Sequence, residues 1–206
     1  VWGDILDAAR VREALEGVDA VFHLAAAVGV GQSMYQVQRY TEVNNLGTAV
    51  LLQQLIERPV RKLVVASSMS VYGEGLYVNA QGAPCVMPGR SPEQLREGLW
   101  DMRGTDGEIL EPVPTPESKP ASPASVYALS KYDQERLCLM VGRAYAIPTL
   151  ALRFFNVYGP RQALSNPYTG VLAIFAARLL NGRAPLIFED GRQQRDFVHV
   201  SDVARA

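Results

Sequence analysis

Along this chain the apolar positions switch repeatedly between helical spacing and short continuous runs, which predicts alternating helices and strands. Ala8 to Leu15 has helical spacing and closes near Gly17, and Asp19 to Ala25 (DAVFHLA) is a short apolar run of strand character. A long helix is expected from about Met34 to Glu57, stopped by Pro59 two residues later, whose ring and missing amide do not continue a helix. Lys62 to Ala66 (KLVVA) reads as a buried strand ended by the polar turn Ser67-Ser68. Ser125 to Tyr145 predicts a second long helix, Leu150 to Phe154 another strand, and Pro185 to Phe188 a shorter one. Such alternation implies an α/β fold whose parallel sheet is covered by helices on both faces. Ligands in such sheets lie at the carboxyl ends of the strands. Between Gly73 and Ser122 the rhythm breaks into a stretch rich in proline and glycine, too long for an ordinary connection. It is expected to be an insertion, a lid or a small subdomain, with a disordered linker as the alternative.

Composition narrows the classes. The chain has 206 residues, 48% hydrophobic and 20% charged, with a net charge of -1. That suits one globular domain, or one domain and part of another. The near-neutral balance offers no field for nucleic acid and no polybasic patch for a membrane surface. Apolar runs such as Val171 to Ala177 are far too short to span a bilayer. Two cysteines, Cys85 and Cys138, do not make a disulfide framework, and are expected to be free thiols in a reducing, cytoplasmic compartment. Trp2-Gly3-Asp4 reads as the tail of a strand, and Ala206 falls inside a helix begun by Ser201 or Asp202. The chain is therefore expected to be an internal piece of a longer protein.

The candidate chemistry centres on Tyr127-Ala-Leu-Ser-Lys131. On a helix, residues four apart share a face, so a phenol and an ammonium address the same space. A free tyrosine titrates near 10, and bringing it to about 7 takes roughly 4 kcal/mol of preference for the phenolate. A neighbouring cation supplies part of that. The pair alone is weak evidence, since a chain with nine tyrosines and three lysines contains one by chance in roughly one case in eight. Context adds to it. Ser67-Ser68-Met69-Ser70-Val71-Tyr72-Gly73 directly follows the KLVVA strand, which places hydroxyls at a carboxyl strand end, although a serine-rich turn is by itself only a turn. Pro123-Ala-Ser125 then caps the helix that carries the tyrosine and lysine.

Taken in order, SSMSVYG, PASVYALSK, LRFFNVYGPRQ and RDFVHVSDVA resemble the signatures of extended short-chain dehydrogenases of the NAD-dependent epimerase/dehydratase family. The resemblance covers nearly the whole chain except the insertion. It implies a Rossmann-like doubly wound parallel sheet, truncated at both ends. Residues 1–160 would form a partial NAD(P)-binding domain interrupted at about 74–120, and 161–206 the start of a small substrate-binding domain. The family pattern gives Tyr127 as the acid/base and Lys131 as the residue that holds the nicotinamide ribose and lowers the tyrosine pKa. Ser68 matches the hydroxyl that binds the reacting sugar oxygen, with Ser70 near enough to assist. Asp4 and Ile5 resemble the pair at the adenine, and Leu24, Ala25 and Ala26 the strand end beside the cofactor phosphates and ribose. His23 is expected to be structural, and Asn44 in VNNLGT matches a family asparagine whose role is mostly structural too. Phe154, Phe155 and Asn156 match the segment that packs on the nicotinamide and binds the substrate diphosphate. Leu186, Ile187 and Phe188 resemble a strand flanking the nucleotide base, and Arg195 an arginine gripping the diphosphate, for which a planar fork suits better than an ammonium. His199 is expected to order the loop near Asp202. The implied cofactor is NAD, with NADP the alternative, and the implied partners are a nucleotide-diphosphate sugar and a second copy of the chain. The dimer would form through the helices of Asn44–Leu55 and Tyr127–Val141, as in relatives that pair by a four-helix bundle.

Three departures from the family pattern shape the expected reaction. The glycine-rich phosphate loop is absent from these 206 residues, so the piece alone is expected to bind cofactor poorly. Dehydratases of the family carry Asp-Glu directly after the catalytic hydroxyl, where this chain has Met69 and Ser70. Neither serves as a general acid or base near neutrality, which favours epimerisation at C4 over elimination. Reduction of a 4-keto sugar is the nearer enzymatic alternative, and a non-catalytic dinucleotide-binding protein the alternative of another class. The frame of the insertion resembles that of dTDP-L-rhamnose 4-epimerase-like proteins. Related inserts hold paired cysteines, but only Cys85 lies in this one, and a single thiolate does not build a tetrahedral zinc site, so no metal is expected.

Overall fold

The computed structural model describes residues 1–163 and 170–206. They divide into two compact units, one of Val1–Val71 with Pro123–Phe154 and one of Tyr72–Ser122 with Phe155–Ala206. The first unit opens with α1 (Ala8–Ala14), begun by Asp7, whose carboxylate accepts the Ala9 and Arg10 amides. Strand β1 (Ala20–His23) follows. A single turn, α2 (Val30–Ser33), precedes α3 (Val37–Tyr40), which runs through a π-helical stretch, Thr41–Leu46, into α4 (Gly47–Glu57). Strand β2 (Lys62–Ser68), the long helix α6 (Val126–Ala144) and strand β6 (Thr149–Phe154) complete the unit. The expected helix over 34–57 therefore starts three residues later and carries a π segment, where one extra residue per turn re-aims the side chains.

The three strands form one parallel sheet in the order β1-β2-β6. His23 lies opposite Val65, and Ser68 opposite Phe154. Helices α4 and α6 pack against each other on one face of the sheet, one side of the expected doubly wound arrangement. Two successive crossovers step the same way across the sheet, and right-handed connections then land on the same side. Alternation sends Leu63 and Val65 toward those helices, where they meet Leu51, Leu52, Leu55, Cys138 and Ile147 in the core. The opposite face carries Phe22, 70% exposed. Helix α1 lies beside α4, tied by Arg12 to Gln54 at 2.9 Å and to Glu57 at 2.6 Å.

The second unit holds the insertion and the C-terminal segment. The insertion is ordered, so the disordered-linker alternative does not hold. Strands β3 (Leu76–Val78), β4 (Pro84–Val86) and β5 (Glu111–Val113) form an antiparallel sheet in the order β4-β3-β5, with a short helix, α5 (Pro92–Arg96), between β4 and β5. Its two ends are pinched together. Gly73 has φ of +65°, and a Cβ there would lie 2.2 Å from the Ser122 carbonyl oxygen, a position only glycine fills without strain. The buried Lys119 ammonium donates to the Tyr72 carbonyl at 2.7 Å. Beyond the first unit's last strand, β7 (Asn156–Tyr158) pairs in parallel with β8 (Phe197–His199), with α7 (Val171–Leu180) between them and α8 (Val200–Arg205) after. His199 caps α8, its Nδ1 accepting the Ser201 amide at 3.2 Å. The strand expected at Pro185–Phe188 is not formed. Leu186, Ile187 and Phe188 are 58%, 60% and 72% exposed and belong to no ladder, so the apolar run has no neighbouring strand to pair with. Among the described residues no helix is long and apolar enough to cross a membrane.

Candidate active site

Strand β2 ends on Ser68, and the chain then turns at once through a 3-10 segment, Met69–Tyr72. The Ser70 amide donates to the Ser68 Oγ at 3.2 Å, so the backbone helps to fix that hydroxyl while the Ser70 side chain stays half-buried beside it. Helix α6 brings in the phenol. Its cap, Ser125, accepts the Ala128 amide at 3.1 Å, so Tyr127 sits in the first turn. The Tyr127 amide donates to the buried Ser33 Oγ at 3.0 Å, and the ring meets Tyr40 edge-on at 6.3 Å. Those two contacts fix the base and the ring. Burial raises the Tyr127 pKa above its ordinary value, and the hydrogen bond from Ser68 works against that rise.

Lys131 is buried four residues along the same helix. Its ammonium donates to the Gln134 Oε1 at 2.7 Å, and burial pushes its pKa down to about 8. The sequence pattern expects Lys131 to lower the tyrosine pKa. Here the phenol is raised instead, because desolvation dominates. Gln134 in turn reaches Thr48 Oγ1 at 2.8 Å and His23 Nε2 at 3.2 Å. His23 also meets Thr48 at 2.8 Å, and burial first, then Lys131, push its pKa down to about 4. A neutral imidazole whose Nε2 meets both Thr48 and Gln134 ties β1 to α4 and α6.

Asn44 acts as a clamp. Its side chain accepts the Ala27 amide at 2.7 Å and donates to the Ala27 carbonyl at 3.1 Å and to the Ser130 Oγ at 2.8 Å. It thus gives the loop after β1 the two bonds a neighbouring strand would give, and ties that loop to α6. The loop carries Leu24 and Ala25, both exposed, and the half-buried Ala26. Leu24 and Ala25 line a hollow of about 430 Å³ together with Asp4 and Ile5, which runs along β1 and α1. Ile5 is packed so closely on α4 that a Cβ at Gly47 would lie 2.6 Å from its Cγ2.

Of the remaining candidates, Phe154 lies in the first unit and the others in the second. Phe154 ends β6 in register with Ser68, and Phe155 opens the second unit. Asn156 lies on β7 and donates to the Asp196 carbonyl at 2.8 Å. Arg195 is exposed and donates to the Gln194 carbonyl at 2.8 Å. Sequence reasoning passed over Gln134 and Ser33. Gln134 was findable, since it lies three residues after Lys131 on the same helix. Ser33 carries no such signal, because it reaches Tyr127 across 94 residues.

A hydroxyl at the carboxyl end of a parallel strand, a half-buried phenol and a buried ammonium one helical turn on are groups of the kinds that can hold and move a proton at an alcohol or carbonyl oxygen. The combination fits the short-chain dehydrogenase pattern that the sequence motifs resemble. The family model described as NAD dependent epimerase/dehydratase family matches residues 1–91 and 103–206, and the chain belongs to that family. It is 37% identical over 191 residues to a dTDP-L-rhamnose 4-epimerase of Burkholderia thailandensis, covering 91% of this chain and 51% of that protein. Among solved structures, it superposes with a TM-score of 0.76 and 30% identity on a UDP-N-acetylglucosamine 4-epimerase from Methanobrevibacter ruminantium in complex with UDP-N-acetylmuramic acid, covering 100% of this chain and 55% of that one. A Thermus thermophilus UDP-glucose 4-epimerase in complex with NAD superposes with a TM-score of 0.71 and 31% identity, over 98% of this chain and 57% of that one. The chain spans about half the length of the curated relatives it matches.

Proposed function

We propose that this chain is the catalytic half of an NAD-dependent enzyme that inverts C4 of a nucleotide-diphosphate sugar through a transient 4-keto intermediate. The observation that carries the reading is the half-buried Tyr127 in the first turn of α6, with the Ser68 hydroxyl at the end of β2 near enough to pull its pKa down and Lys131 buried one helical turn away. Tyr127 takes the O4 proton, Ser68 holds O4, and Lys131 holds the nicotinamide ribose of the cofactor. NAD, when bound, would supply the hydride acceptor and donor for C4. The hollow beside β1 suits its adenosine end, because Asp4 offers a carboxylate to hydroxyl and amine donors and Ile5 an apolar wall. Leu24, Ala25 and Ala26 would lie along the cofactor, and Phe154 and Phe155 against its nicotinamide. Asn156, Arg195 and the exposed Leu186–Phe188 run would take the nucleotide and its diphosphate. In this reading residues 1–160, interrupted by the 74–120 insertion, serve the cofactor, and 161–206 begin the substrate-binding part.

Met69 and Ser70 separate epimerisation from elimination. Loss of the C6 hydroxyl needs a base at C5 and an acid at the departing oxygen, and a thioether and a hydroxyl supply neither near neutral pH. The full-length protein, incubated with a UDP- or dTDP-sugar, is expected to give the C4 epimer with no net change in NADH absorbance. Deuterium at C4 should stay in the product, and none should enter C5 from solvent. Solvent deuterium at C5 with loss of the C6 hydroxyl would overturn the reading in favour of a dehydratase, and stoichiometric NADH in favour of a net oxidoreductase.

The whole enzyme is expected to be a homodimer of the two-fold kind, paired through α4 and α6. Both helices lie on one face of the sheet, and Leu46, Leu129 and Met140 on and beside them are about half exposed. Sedimentation equilibrium of the full-length protein at micromolar concentration checks this, and a monomer there would refute it. Both cysteines are free, Cys138 buried and Cys85 half-buried, which is compatible with a cytoplasmic location.

A further inference from the structure

The insertion is where this chain departs most from its family. The family match omits residues 92–102, which hold α5 and the turn to Trp100. Arg90 stands just before that stretch, and its guanidinium reaches far along the sequence. Arg90 Nη1 donates to Glu189 Oε2 at 2.8 Å and to the Trp100 carbonyl at 3.3 Å. Both side chains of the ion pair are only 24% exposed, so solvent screens it less than an ordinary surface pair. Glu189 also accepts from Gln193 Nε2 at 3.0 Å, and that amide donates to the Phe188 carbonyl at 3.1 Å as well. Glu189 has φ of +57°, a left-handed conformation that a residue with a Cβ adopts only when something holds it. On the insertion side, the Tyr77 hydroxyl meets Glu74 at 3.4 Å.

These contacts explain how an apolar run outside any ladder keeps a shape. Leu186, Ile187 and Phe188 are exposed and form no strand, and the turn after them is held through Glu189. The carboxylate is fixed from one side by Gln193 of its own loop and from the other by Arg90 of the insertion.

We propose that Arg90 and Glu189 form a latch through which the insertion sets the shape of the 186–193 segment, and so the affinity for the nucleotide end of the substrate. The inference rests on the reading that this segment flanks a nucleoside diphosphate. Neither residue touches the reacting carbon in that reading. They are positioning residues, and their loss weakens ground-state and transition-state binding alike, which raises KM and leaves kcat.

The test uses the full-length protein with Arg90→Glu, Glu189→Arg, the doubly exchanged protein, and Arg90→Gln in case charge reversal unfolds the insertion. Each single variant is expected to raise KM for the nucleotide sugar and Kd for the free nucleoside diphosphate about five-fold, the size of a half-buried ion pair, with kcat within two-fold of wild type. The double exchange is expected to recover most of the loss, which a merely structural role for either residue would not produce. Amide hydrogen exchange in 86–100 and 186–193 should quicken together in the single variants and slow again in the exchanged one. Single variants with wild-type KM in an active enzyme would overturn the inference, and so would a double variant as impaired as the singles. Should wild type bind and turn over no nucleotide sugar, the functional reading fails and the substrate part of this inference with it. Hydrogen exchange would then still decide the latch, and unchanged exchange in the single variants would sink it.

Discussion

Replacing Tyr127 with Phe in the full-length enzyme is expected to lower kcat by about 10²–10⁴-fold while NAD binding stays nearly unchanged. The substitution removes one oxygen. It keeps the ring that meets Tyr40 edge-on, and the backbone amide that Ser33 accepts, so neither the first turn of α6 nor the loop at Ser33 loses its fixing. What disappears is the proton carrier opposite Ser68. Lys131→Ala should differ in kind, weakening cofactor affinity as well as turnover, because it also removes the buried cation and its bond to Gln134. Stopped assays with a C4-labelled nucleotide sugar, set beside cofactor titration, separate the two. Turnover near wild type in the Phe variant would remove Tyr127 from the chemistry.

The largest effect on stability is expected at Glu135. Its carboxylate, buried under α6, accepts Arg153 Nε at 3.0 Å, Arg153 Nη2 at 2.7 Å and the Ser67 hydroxyl at 2.6 Å. One side chain thus joins α6 to both of the strands beneath it, β2 and β6. Glu135→Ala takes away the charge that offsets a largely buried guanidinium, and is expected to cost roughly 3 kcal/mol. A lower urea midpoint at unchanged m value would show it. The pH dependence follows from the direction of the shift. Burial alone would raise the Glu135 pKa, but the bonds from Arg153 and Ser67 and the Arg153 charge outweigh it and hold the carboxyl below its ordinary value. A depressed carboxyl contributes stability that is complete above its unfolded-state pKa, about 4.3, and lost as pH falls through the lower folded value. The gap between wild type and Glu135→Ala should be widest near neutrality and close below pH 4. A gap of constant size across that range would mean that the ion pair is not what holds the helix.

The elements that were legible in the sequence are those whose cause is local. Strand β2 was visible because KLVVA is a continuous apolar run closed by serines, and α6 because a serine cap opens a long polar–apolar repeat. The π stretch over 41–46 was not visible, because its extra residue is accommodated by the clamp of Asn44 on Ala27, seventeen residues away. Pro185–Phe188 misled for the opposite reason. Its residues have strand character, but a strand exists only where a neighbour offers its backbone, and this segment is instead turned by Glu189 and held by Arg90. The order within the insertion was equally hidden, since short strands flanked by proline and glycine declare themselves only when they pair.

What the sequence by itself determined is the sheet-and-helix alternation, the cap at Ser125 and the four-residue spacing that puts Tyr127 and Lys131 on one face, all of which depend on neighbours within a turn or two. Only the tertiary structure decided that Thr48 and His23 hold Gln134 beside the Lys131 ammonium, and that burial raises the Tyr127 pKa and lowers that of Lys131. Those outcomes hang on contacts between residues tens of positions apart and on how much water is excluded between them. Desolvation is a property of the packed interior, and no local spacing encodes it.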